Sequence, residues 1–76
     1  MSTVTHVFAS GGDWEGLYLD DNLKFEGHSI KAWELGDLIS RYLITDYTSF
    51  TVNNEWMEEQ GYLPENIKDI PDEVRQ

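Results

Sequence analysis

The sequence predicts an α+β fold: a small, mostly antiparallel sheet of about four strands, in the order β-β-β-α-β-α, with one main helix packed on one face. Three observations carry this reading. Short segments rich in β-branched and aromatic residues, separated by turn residues, fill the first third of the chain. Leu35, Leu38, Ile39 and Tyr42 then recur at the i, i+3, i+4, i+7 spacing of one helix face. The chain has 76 residues, 39% of them hydrophobic, with three Trp, four Tyr and three Phe, so one compact domain over residues 1–76 is the natural organisation.

Thr3 to Ala9 reads as the first strand, with Val4/His6/Phe8 and Thr5/Val7/Ala9 as its alternating faces; the pattern leaves open which face is buried. Ser10-Gly11-Gly12-Asp13 reads as a turn. Trp14–Asp20 and Leu23–Gly27 form a predicted hairpin around Asp21-Asn22, residue types that tolerate left-handed backbone. Leu17 and Leu19 are expected to share a face with Leu23 and Phe25, leaving Tyr18, Asp20, Lys24 and Glu26 on the other.

Ser29 is the predicted N-cap of the main helix. Asp37 and Arg41 make a favourable i,i+4 pair, and Gly36 is expected to let the helix lie close to the sheet. Tyr47–Val52 is the predicted fourth strand. Asn53 or Asn54 caps a short helix, Glu55–Gln60, that ends at Gly61. Pro64–Ile70 suggests one further helical turn with Pro at its first position, and Asp72–Gln76 a frayed polar tail.

Fifteen Asp and Glu against five Lys and Arg give a net charge of −10. Such a chain is repelled by nucleic acid and by anionic membranes and attracted to basic protein surfaces. Residues 1–44 carry a net −4 and residues 45–76 a net −6, so the acidity is concentrated in the second part. Glu55, Glu58 and Glu59, at i, i+3 and i+4, share one helical surface there. The absence of cysteine removes disulfides and thiolate metal sites, and favours a reducing, cytoplasmic location. The first residues do not read as a signal peptide, and no apolar run approaches the length of a membrane span.

Catalytic constellations are missing from the pattern. Ser10, Ser29, Ser40 and Ser49 have only His6 and His28 as potential bases, and no Gly-x-Ser-x-Gly elbow exists. In Gly27-His28-Ser29 a capping Ser and a His bonded to local backbone account for both side chains. Asp20-Asp21-Asn22 lacks the twelve-residue calcium-loop pattern. The Gly11-Gly12 turn lacks the Lys of a phosphate-binding loop. The expectation is a protein with no catalytic residue, cofactor or metal. Trp14 and Trp56 read as core anchors, whereas Trp33 and Tyr18 are expected to be exposed and so to be candidate partner-binding aromatics beside Glu55, Glu58 and Glu59.

The segment Gly12-Asp13-Trp14-Glu15-Gly16-Leu17-Tyr18, its tight hairpin, and Glu26-Gly27-His28-Ser29-Ile30 resemble small proteins of bacteria and their phages that carry no assigned activity. Glu55-Trp56-Met57-Glu58-Glu59 and Leu63-Pro64-Glu65-Asn66 fit the same likeness, which covers most of the chain. In size and charge the chain is also similar to phage anti-defence proteins such as anti-CRISPRs, a likeness of class that rests on no shared motif. The net charge of −10, the Glu-rich second helix and the missing catalytic groups favour an inhibitor or adaptor of phage or bacterial origin that occupies a basic, nucleic-acid-binding surface of a partner such as a host defence protein, its carboxylates standing in for phosphates, with no direct nucleic acid or membrane binding. The alternative from another class is a host housekeeping or structural module, a homodimer paired through a strand edge.

Overall fold

The computed structural model describes all residues, Met1–Gln76. Four strands, β1 (Ser2–Ala9), β2 (Glu15–Leu19), β3 (Asn22–Gly27) and β4 (Ile44–Val52), form one sheet in the order β3-β2-β1-β4. The β1–β2 and β2–β3 pairs are antiparallel and β1–β4 is parallel. A parallel pair needs a crossover, and helix α1 (Ala32–Arg41) supplies it between the two edge strands β3 and β4. Helix α2 (Asn54–Gln60) and two 3-10 turns, Ile67–Asp69 and Asp72–Val74, complete the chain. The α+β class and the element order are those the sequence predicts.

Both faces of the sheet are covered. On one, Val4, Leu17 and Leu19 pack with Leu38 of α1, flanked by Phe25, Ile30, Leu35 and Ile44. On the other, Val7, Ala9, Tyr18 and Val52 pack with Met57, Leu63 and Ile70 from α2 and the segment after it. The open choice between the two faces of β1 therefore has no single answer: the strand lies between β2 and β4 and buries residues on both sides.

The second layer corrects several expectations. Tyr18 is fully buried rather than exposed. The hairpin face that reads as polar is roofed by the C-terminal segment, and the Tyr18 hydroxyl donates to the Pro64 carbonyl at 2.6 Å. Leu23 lies opposite Tyr18, not beside Leu17, because the register shifts between Leu17 and Tyr18. The irregularity leaves Lys24 without a counterpart on β2, as in a β-bulge. The tight turn is Asp20-Asp21, one residue earlier than expected, closed by the Leu19–Asn22 pair and with Asp20 at φ 55°.

Helix α1 starts two residues later than a Ser29 cap would place it. Lys31 is the N-cap, and its N–H donates to Glu34 at 2.7 Å. Of the four residues in the expected helix stripe, Leu35 and Leu38 pack inward, while Ile39 and Tyr42 are 57% and 40% exposed. Ile39 sits about 100° around the helix from Leu38. Tyr42 has left the helix for extended backbone at φ −129°, ψ 151°. Nothing lies within 4 Å of where a side chain at Gly36 would project, so this glycine does not mediate close packing. Gly16 does: a Cβ there would strike the Leu63 side chain, which the second layer drives against the sheet.

Residues 72–76 are docked, not frayed. Asn53 N–H donates to Val74 O, and Gln76 N–H to Thr51 O, at 2.8 and 2.7 Å. The Arg75 guanidinium donates through Nη2 to Ile67 O and Ile70 O at 3.1 and 3.2 Å and stands 4.8 Å over the Phe50 ring. Pro64 precedes the first 3-10 turn instead of starting it; Asn66 is the cap, its side chain accepting from Lys68 N–H at 2.9 Å.

Candidate functional site

Helix α2 is short, and its termini are fixed by side chains. Asn53 Oδ1 accepts from Trp56 N–H at 3.0 Å, and Gly61 closes the helix in the left-handed conformation at φ 75°. Met57 points into the core and Trp56 packs against it. Glu55, Glu58 and Glu59 are all exposed, and the helix holds no basic residue. The three glutamates therefore stand together at the surface, as their spacing predicts.

The few cations of the chain do not neutralise them. Arg41 pairs with Asp37 at 3.0 Å, Lys68 with Asp21 at 3.3 Å, and Arg75 with Asp72 at 3.8 Å. Three of the five Lys and Arg are thus engaged by carboxylates elsewhere.

The turn after β1 is tied to α2. Asn54 N–H donates to Ser10 Oγ, Gly11 N–H donates to Asn54 Oδ1, and Asn54 Nδ2 donates to Glu58 Oε1, at 3.0, 3.2 and 3.0 Å. A Cβ at Gly11 would come within 3 Å of the Asn54 side chain, so a larger residue there would push Asn54 out of these bonds. Between turn and helix lies a cavity of about 140 Å³. Ala9 and Met57, both buried, and Trp14 give it apolar walls, and Asp13, His28 and Glu58, all exposed, line it towards solvent. A second, larger hollow of about 370 Å³ runs along β3, between Leu23–Glu26 and Tyr62–Leu63.

The remaining candidates do not converge on this place. Trp33 is 68% exposed, as expected, with its ring edge-on to Phe25 at 6.0 Å. It belongs to α1, which covers the sheet face opposite the one α2 covers. Tyr18 is in the core. Only Glu55, Glu58 and Glu59 of the five expected contact residues form a cluster.

One arrangement was not legible in the sequence. On the part of the α1 face that the helix leaves uncovered, His6 Nε2 lies 2.8 Å from Glu15 Oε1 and His6 Nδ1 lies 2.9 Å from the Tyr47 hydroxyl. A carboxylate only accepts, so His6 Nε2–H is the donor to Glu15. The Phe8 ring stacks on the imidazole at 4.0 Å. Burial, then the neighbouring Glu15 charge, push the Tyr47 phenol above its ordinary value. The chain Tyr47–His6–Glu15 acts as a cross-strand tie joining β4, β1 and β2. Alternation along β1 places His6 and Phe8 on one face, but its partners are 9 and 41 residues away and depend on strand register.

No group of three or more His, Asp or Glu side chains is placed to hold a metal ion, and no helix is long and apolar enough to cross a membrane. Comparison with protein-family models, curated proteins and solved structures finds no match to this chain.

Proposed function

We propose that this chain is a small acidic binding protein, an inhibitor or adaptor of the kind bacteria and their phages carry, that occupies a basic, nucleic-acid-binding surface of a partner protein. Its carboxylates take the place of phosphates. The observation that carries the reading is the row of exposed, cation-free glutamates on α2, in a molecule of net charge −10 whose few cations are mostly paired elsewhere. Field lines from such a surface steer a cationic partner and raise its association rate. The test is competition. A partner isolated on the immobilised protein should release it when DNA or RNA is added, and retention of the complex in excess nucleic acid contradicts the reading.

A second reading, a homodimeric structural module, draws on a different surface. Met1, Ile39 and Leu43 are 94%, 57% and 69% exposed. Met1 is brought beside Leu43 by the Ser2 N–H bond to Leu43 O at 2.8 Å. The strand-edge version is less favoured, because Asp46 caps the Tyr47 N–H of edge strand β4 at 3.0 Å and blunts that edge. Sedimentation decides: a dimer that Leu43→Asp converts to monomer supports this second reading, and a wild-type monomer removes it.

A further inference from the structure

We infer that the cavity between the Ser10–Trp14 turn and α2 is a receptor for one lysine side chain of the partner. The inference rests on the binding reading above and names the contact that anchors it.

Size sets the class of ligand. A cavity of about 140 Å³ has room for a single side-chain end. A void of about 150 Å³ holds one benzene-sized molecule, whereas sites for drug-sized ligands begin near ~300 Å³. Nucleotides and cofactors are too large.

The chemistry of the lining selects among side chains. Two of the side-chain N–H groups that line the cavity are engaged inside the protein. Trp14 Nε1–H donates to Glu26 Oε1 at 3.0 Å, and Asn54 Nδ2–H to Glu58 Oε1 at 3.0 Å. His28 Nδ1 lies 3.2 Å from the Asp13 carbonyl oxygen. A carbonyl only accepts, so Nδ1–H is the donor in this contact. The carboxylates of the lining are those of Asp13 and Glu58. A carboxylate or phosphate ligand meets two negative charges here. An ammonium group offers three donors and no acceptor, the complement of this lining.

The rest of the lysine side chain also fits. Its methylene stem needs apolar walls, which Ala9, Trp14 and Met57 provide. An indole is the aromatic ring that best attracts a cation. Two features hold the receptor ready before a ligand arrives. The Asn54 bond fixes one oxygen of Glu58, and the Trp14 ring meets His28 edge-on at 5.1 Å.

The test uses the full chain and n-butylammonium as the probe, with n-butanol as its uncharged counterpart. Amide and indole NMR shifts are followed during titration. Butylammonium should give saturable, millimolar-range shifts confined to the residues that line the cavity, among them Ala9, Trp14, His28, Met57 and Glu58, and butanol should not. Glu58→Gln and Glu59→Gln each remove one charge from the same helix, but only Glu58 lines the cavity. Glu58→Gln should weaken the probe about fivefold, and Glu59→Gln should leave it nearly unchanged. The Glu58→Gln side chain retains an amide oxygen that can accept from Asn54, so the helix start is preserved. Equal effects of the two substitutions, shifts scattered over the acidic surface, or equal binding of butanol overturn the inference. Failure here with nucleic-acid-sensitive partner binding intact removes the lysine receptor alone. Success here with a partner that nucleic acid does not displace removes the mimicry reading and leaves the receptor.

Discussion

At the scale of single residues, Tyr18 shows how burial converts a polar side chain into a tie between layers. Its ring is enclosed and its hydroxyl donates to the Pro64 carbonyl, so this side chain ties the second layer to the sheet beside the backbone bonds that join them. Burial foremost, then the Glu26 charge, hold the phenol far above its ordinary value. The folded state therefore keeps a proton that the unfolded chain releases near pH ~10. Below that pH both states are protonated and the contribution is complete; above it the unfolded state ionises first and stability declines. Alkaline unfolding should set in above pH ~10, and Tyr18→Phe should flatten that decline while costing about 1–3 kcal/mol at neutral pH, read from denaturant titrations. Gly36 gives the opposite case. It is helical and faces open space, so Gly36→Ala should raise stability by about 0.5–1 kcal/mol in the same titration.

At the scale of elements, the two layers separate what periodicity reveals from what it hides. Strands β1–β3 and helix α1 announce themselves because local alternation and a 3.6-residue stripe follow from each element's own geometry. The limits of α1's contact with the sheet do not. Leu38→Ala should cost about 2–5 kcal/mol by leaving a cavity, whereas Ile39→Ala should shift the thermal midpoint little. Both residues occupy the same predicted stripe, so the pair measures how narrow the buried stripe is. The C-terminal layer was hidden for another reason. Leu63, Ile67, Ile70 and Val74 keep a helix-like spacing, but Pro64 and Pro71 break it up and only short 3-10 turns form, so their burial depends on the chain returning across the sheet. The docked tail makes Arg75 structural. Arg75→Ala removes two donors to carbonyls and a cation over Phe50, and should cost about 1–3 kcal/mol. A frayed tail would predict no measurable change.

At the scale of the whole molecule, charge is the property most legible in the sequence and the one that organises the proposed function. Glu55, Glu58 and Glu59 are exposed on one short helix, as their spacing requires. The cavity beside Glu58 was not legible, because it joins the turn at Ser10 and Gly11 to a distant helix through Asn54. Trp33 is exposed on the opposite layer, so an interface centred on α2 does not include it. A partner drawn by these carboxylates must respond to salt, since exposed charges are screened over about 8 Å at physiological ionic strength. Replacing Glu55, Glu58 and Glu59 with Gln removes three charges while keeping helix propensity, and relieves repulsion worth a few tenths of a kcal/mol per pair. The most direct measurement is the association rate of the isolated partner at low and high salt, for wild type and for this triple variant. Acidic docking predicts a rate that falls steeply with salt in the wild type, a slower rate and a shallower slope in the variant, and an unchanged or higher melting temperature. Equal rates and equal salt slopes for the two proteins would contradict it.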